Sequence, residues 1–224
     1  MSGFLRAPSR WWRLIAVATA IALVYSAIGA TRAWSEDAPV VVQVEEDWEL
    51  VVSDPDSGAT APQLTCTISP QSNLNNLHSV IEINHKTVPY WAPGGVHLQT
   101  WVGEYNLTRK SIENNSSLSN DNEVVAWTSR MKLTSNSLAF TIVNGTSTTW
   151  GTFGGGTALH SAYGTSLTSL NGYSPDFSVA NSGIGFASNR VQSLKLKCVR
   201  YTLANGNVVT DNTVRVVHQL EATP

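Results

Sequence analysis

The sequence predicts an all-β chain, an antiparallel β-sandwich of jelly-roll-like form, behind an N-terminal signal helix. Three observations predict it. After a turn at residues 54–58, short runs of alternating apolar and polar residues are separated by clusters of Gly, Pro, Asn and Ser, which is the pattern of a sandwich or barrel. Beyond residue 33 no stretch of ten or more residues keeps apolar side chains at helical spacing. Charged residues make up only 13% of the 224, about half the usual share for a soluble domain. Ser, Thr, Asn and Gly take their place, which suits strands with polar, hydrogen-bonding faces.

The first element is the leader. Arg6, Arg10 and Arg13 precede an apolar run from Leu14 to Ala30, and no acidic residue comes before Glu36. A basic segment followed by an apolar one is the layout of a secretory signal peptide. Small residues follow where a signal peptidase cuts: Ala33 precedes Trp34, and an earlier site lies at Ala27–Gly29. The expected division is therefore a signal peptide over residues 1–33 and a single β-sandwich domain over 34–224. An uncleaved anchor is the alternative, because the apolar run reaches the low end of the roughly 17 to 25 residues that span a bilayer. The preceding positive charge holds the N-terminus inside in either case, so both readings place the domain outside, in periplasm, at the cell surface or in the medium. A membrane is met only through an uncleaved leader. The first cysteine is Cys66, too late for a lipid anchor, and no adjacent Arg pair marks a twin-arginine signal.

Removing 33 residues leaves 191, enough for one sizeable core. It also removes four arginines, so 10 basic residues face 16 acidic ones and the net charge falls to near −6. Such a balance argues against nucleic acid as a partner. Half of the acids lie between Ser35 and Asp56, yet residues 40–44 (VVVQV) and 48–52 (WELVV) are strong strand formers. The acidic stretch is read as strand-bearing, closed by a turn at Asp54–Gly58. Further strands are predicted at 62–68, 78–84, 96–103, 123–133, 138–144, 191–201 and 214–220, with a hairpin turn at Asn205–Gly206. The segment 148–189, with eight glycines, is read as loops and short strands.

Two cysteines in an exported chain invite a disulfide. Strand phase groups Cys66 with Leu64 and Ile68, and Cys198 with Leu194 and Leu196, so both are expected to point inward. The expectation is a Cys66–Cys198 bridge, with two separate buried thiols as the alternative.

The strand at 96–103 places Val96, Leu98, Thr100 and Val102 on one face and His97, Gln99 and Trp101 on the other. An indole flanked by an imidazole and an amide can stack on the apolar face of a sugar ring while its neighbours bond the hydroxyls. His97, Gln99 and Trp101 are therefore the candidate ligand-binding residues, against the alternative that Trp101 is covered. Trp127 is in phase with Val125, Met131 and Leu133 and is read as core. Trp150, at the entry to a glycine-rich turn, is read as a loop anchor or a second ligand aromatic. Tyr90 and Trp91 are ambiguous.

No metal site is predicted. Asp54, Asp56 and Gly58 match only part of a calcium loop, which leaves calcium as the single cofactor with any motif behind it, and His78, Glu82 and His85 lack zinc spacing. No catalytic residue is predicted either, since there is no Gly-x-Ser-x-Gly elbow, no phosphate-loop lysine after 151–156, and no recognisable pair among Glu82, Glu104, Glu123 and Asp176. Four Asn-x-Ser/Thr triplets, starting at Asn106, Asn114, Asn115 and Asn144, carry little weight in a chain so rich in these residues.

The segments 40–56 (VVVQVEEDWELVVSDPD), 63–70 (QLTCTISP), 83–89 (INHKTVP), 144–155 (NGTSTTWGTFGG) and 181–201 (NSGIGFASNRVQSLKLKCVRY) resemble a set of uncharacterised secreted proteins of planctomycete bacteria. The resemblance covers nearly all of the chain after the leader and implies a bacterial exported protein without implying an activity. More loosely, the turn at 144–150 and the closing strand ending at 198–201 resemble concanavalin A-like jelly rolls. The acidic motif of the hydrolases on that fold and the metal loop of its lectins are absent here. The expected function is an exported, non-catalytic sandwich for surface or matrix interaction, with polysaccharide as the ligand class. The alternatives are a purely structural cell-surface protein and an extracellular glycan-active hydrolase.

Overall fold

In the computed structural model, which describes residues 39–53, 62–84, 95–112, 118 and 120–221, the acid-rich stretch is a single strand. β1 (Val41–Val52) fuses the two predicted strand-forming runs. Alternation sends Val44, Glu46, Trp48, Leu50 and Val52 into the core, so Glu45, Asp47 and Glu49 face outward. The outward acids are met by cations on both neighbouring strands, Arg130 on one side and Lys197 and Arg200 on the other. A central strand can therefore carry three acids in a row without self-repulsion.

These neighbours are β6 (Glu123–Leu133) and β11 (Val191–Leu203). With β7 (Ser137–Ser147), β8 (Gly151–Phe153), β9 (His160–Gly164), β12 (Val208–Asp211) and β13 (Arg215–Gln219) they make an eight-stranded antiparallel sheet. Its order is β12-β11-β1-β6-β7-β8, with β13 beside β12 on β11 and β9 beside β8 on β7. The second sheet has five antiparallel strands in the order β10-β2-β3-β4-β5: β10 (Gly183–Phe186), β2 (Gln63–Ile68), β3 (Leu77–Asn84), β4 (Gly95–Val102) and β5 (Tyr105–Ile112). The chain passes between the sheets four times, after β1, β5, β9 and β10, and the two sheets pack as the expected sandwich. The predicted leader, residues 1–33, lies outside the described residues, as do the turn at Asp54–Gly58, His85, Tyr90 and Trp91.

The core lies between the sheets. Leu194, Leu50 and Val125 form a cross-strand row in the larger sheet, and Cys66, Ile81 and Leu98 form one in the smaller; all six belong to one buried cluster. Trp48 and Trp127 are register partners with rings stacked at 6.2 Å, so Trp127 is core as its phase predicts. The Thr100 and Ser161 hydroxyls, 2.5 Å apart, link β4 to β9 across the layers. A short helix, α1 (Pro175–Ala180), starts on a Ser-Pro signature, Ser174 accepting from the Phe177 N–H. At six residues it is too short to leave a periodic trace.

The expected disulfide is absent: both thiols are free. Cys66 points inward as predicted, and burial pushes its pKa well up. Cys198 does not. The register of β1 with β11 slips between Asp47 and Trp48, a β-bulge that skips Lys197. The extra residue reverses the inside–outside phase, so Leu196 and Val199 are both buried and Cys198 faces outward, its Sγ 3.5 Å from Asn212 Oδ1. The bulge thus leaves Cys66 of the smaller sheet in the core and turns Cys198 to the outer face of the larger one.

Glu123 anchors the β7–β8 hairpin. Its carboxylate accepts from Ser147 Oγ at 2.6 Å, Thr149 N at 2.7 Å and Thr149 Oγ1 at 2.6 Å, and these donors hold its pKa below the ordinary value against the upward push of burial. A carboxyl with a lowered pKa stabilises the fold above its unfolded-state pKa, and that stabilisation is lost as pH falls through the folded-state value. Glu123→Ala is expected to cost about 2 kcal/mol at pH 7 and much less at pH 3. Urea unfolding at the two pH values measures the difference, and an equal loss at both would contradict the assignment.

Candidate functional site

Register brings together residues far apart in sequence on the outer face of the smaller sheet. On β3, Ser79, Ile81 and Ile83 point to the core, so His78, Val80 and Glu82 face outward. On β4 the outward set is the predicted one, His97, Gln99 and Trp101. Glu82 lies opposite His97, His78 opposite Trp101, and Gln99 opposite Arg109 of β5. A bulge between Thr100 and Trp101 pairs Trp101 with Asn106.

A hydrogen-bonded line crosses the three strands. The Gln99 Nε2 amide donates to Glu82 Oε2, and Asn106 Nδ2 donates to Gln99 Oε1 at 3.0 Å. Burial pushes the Glu82 pKa up to about 7, with the positive charge of Arg109 and the Gln99 hydrogen bond pulling the other way. Two of the predicted contact residues are not at the surface: Gln99 is 1% and His97 9% exposed. Asn106 and Arg109 are exposed, and Trp101 is half-buried. The Trp101 Nε1–H is buried and has no hydrogen-bond partner among the described residues, so the indole presents its apolar ring outward. The accessible patch is therefore Trp101, Asn106 and Arg109, backed by Gln99, Glu82 and His97.

The sequence pointed to Trp101 but not to Asn106 or Arg109, because β5 was not predicted. One signal was present: Gly103 (φ +54°) and Glu104 form a two-residue turn at the end of the predicted strand.

Trp150 is apart from this patch. It packs partly buried against the core, its ring edge-on to Phe153 at 6.4 Å and its backbone N–H donating to Ser147 Oγ at 3.0 Å. A groove of about 530 Å³ on the outer face of the larger sheet is lined by Asp47, Glu49, Thr128, Asn144, Lys197 and Arg200, among others. Its charges are already paired: Arg200 donates to Asp47 and Glu45, and Lys197 to Glu49 at 3.1 Å. It also lacks an exposed aromatic ring among the described residues.

The carboxylates weighed for catalysis take separate partners. Glu82 bonds Gln99, Glu123 caps the β7–β8 hairpin, Asp176 pairs with Arg215 at 2.7 Å, and Glu104 sits exposed in the β4–β5 turn. Among the described residues no three His, Cys, Asp or Glu converge as metal ligands, and no helix is long and apolar enough to cross a membrane. The partial calcium motif at Asp54, Asp56 and Gly58 lies outside the described residues. Comparison with protein-family models finds no match, and neither does comparison with curated proteins.

Proposed function

We propose that the chain is an exported, non-catalytic β-sandwich that takes part in surface or matrix interactions by binding polysaccharide through Trp101, Asn106 and Arg109. The observation that carries this reading is the posture of Trp101. With its N–H turned inward and its ring outward, beside an exposed amide held from behind by Gln99, it offers a stacking surface next to hydrogen-bonding groups. The basic, apolar leader and the resemblance to secreted planctomycete proteins support the exported location.

A glycan array probed with the domain from residue 34 onward tests this. Wild type is expected to bind at micromolar concentration, and Trp101→Ala to lose at least tenfold in affinity while its unfolding midpoint moves by only a few degrees. Absence of binding at high micromolar concentration would sink the glycan reading. The second reading, a purely structural role, is favoured by the burial of His97 and Gln99, which makes most of this face packing rather than contact surface.

A further inference from the structure

The line from Glu82 to Asn106 does more than hold the patch in place. An ionised carboxylate has acceptor oxygens and no donor. Gln99, enclosed beside it, must turn its Nε2 toward Glu82 and therefore its Oε1 toward Asn106. Asn106 must then spend a donor on Gln99, at 3.0 Å, which leaves its Oδ1 acceptor for the exterior. One carboxylate thus dictates, through two amides on successive strands, which end of an exposed amide a ligand meets. A protonated carboxyl keeps an acceptor oxygen but gains an O–H donor, and with that donor aimed at Gln99 Oε1 the order reverses: Gln99 Nε2 donates to Asn106 Oδ1, and the Asn106 amide N–H groups face out.

We propose that Glu82, acting through Gln99 as a positioning pair, sets the hydrogen-bonding polarity of Asn106 beside Trp101: an acceptor for ligand hydroxyl and N–H donors when Glu82 is ionised, a donor when it is protonated. The relay is a property of the free protein; only its consequence for ligand choice rests on the glycan reading. The geometry is suited to switching because Gln99 is enclosed and has partners on both sides, so neither amide can turn alone without leaving a buried polar group unpaired. Glu82 sits near neutrality because burial opposes its charge. The charged and titratable groups facing it among the described residues are Arg109 on β5, His97 on β4 and His78 on β3 itself; β2 contributes Thr65, which does not titrate.

The experiment is a pH titration from 5 to 9 of the side-chain amide resonances of Gln99 and Asn106 in the unliganded domain from residue 34 onward. In wild type both amides are expected to shift with one shared midpoint near 7, and in Glu82→Gln neither shifts. In Asn106→Ser, an exposed change, Gln99 still titrates. Titration of Gln99 without Asn106, or titration that persists in Glu82→Gln through His97 or His78, overturns the relay. A parallel fluorescence titration with a neutral gluco-oligosaccharide is expected to give an affinity that changes at least threefold between pH 6 and 8 in wild type and stays flat in Glu82→Gln. Amides that titrate without any binding uphold the relay and overturn the glycan reading; binding whose affinity is the same at both pH values in wild type overturns the relay's effect on the ligand.

Discussion

Glu46→Ala is expected to destabilise the domain by about 3–5 kcal/mol, lowering the unfolding midpoint by roughly 10 °C. Glu46 is on the inward face of β1 and 1% exposed. Trp48 Nε1 donates to its Oε2 at 2.9 Å, and Tyr173 OH donates to its Oε1 at 2.7 Å. Removing the carboxyl leaves both donors buried without a partner, which costs about 1–3 kcal/mol for each, and leaves a void between the sheets. The Tyr173 bond also ties the segment leading into α1 to the central strand, so its loss loosens the closure of one end of the sandwich.

The isosteric Glu46→Gln separates charge from packing. Burial pushes the Glu46 pKa up, against the downward pull of its hydrogen bonds. For an acid with a raised folded-state pKa, both folded and unfolded chains hold the proton below the ordinary carboxyl value. As pH rises past that value the unfolded chain ionises first, so stability declines until the folded-state pKa is reached and is constant beyond it. Glu46→Gln cannot ionise. Its stability relative to wild type should therefore rise as pH increases from 4 to 8, read by denaturant titration at each pH; a pH-independent difference would show that the buried carboxyl keeps an ordinary pKa.

Gly145→Ala is the second large effect. Gly145 lies opposite Trp127 on β6 and opposite Phe153 on β8. A Cβ at Gly145 would stand 2.1 Å from the nearest Phe153 ring carbon, a separation no pair of carbons tolerates. The ring, which is buried and packs edge-on against Trp150, would have to leave its place. The expected cost is about 2–4 kcal/mol, approaching that of deleting the ring by Phe153→Ala. If the two changes act through one steric conflict, the double variant costs far less than their sum, a coupling of more than about 1 kcal/mol. Additive losses in thermal or urea unfolding would rule this packing out.

Strand phase made several features legible beforehand. The alternation in 123–133 placed Trp127 in the core, that in 96–102 separated Leu98 and Thr100 from His97 and Gln99, and Asn205–Gly206 marked the β11–β12 hairpin, where Gly206 has φ +88°. Phase failed where the backbone slips. Cys198 follows an alternation unbroken in sequence, and only the bulge at Lys197, created by pairing with a strand some 150 residues earlier, turns it outward. β5 was missed because Tyr105 to Ile112 is an edge strand whose first residues are largely exposed, so it carries little of the apolar alternation that a half-buried strand shows. The glycine-rich segment, read as loops and short strands, holds β8, β9 and β10 and hid only α1; each is six residues or fewer.

The sequence by itself determined the class of the fold and the inward or outward sense of most strand residues, because side-chain alternation in a strand is a local property with a period of two. It could not determine which strands are neighbours. The pairing of β1 with β6 and β11 neutralises Glu45, Asp47 and Glu49, and the pairing of β3, β4 and β5 lines up Glu82, Gln99 and Asn106. Those alignments are set by long-range register and packing against the opposite sheet, so the acidic run became a paired central stripe and the candidate patch acquired its exposed members only in the folded protein.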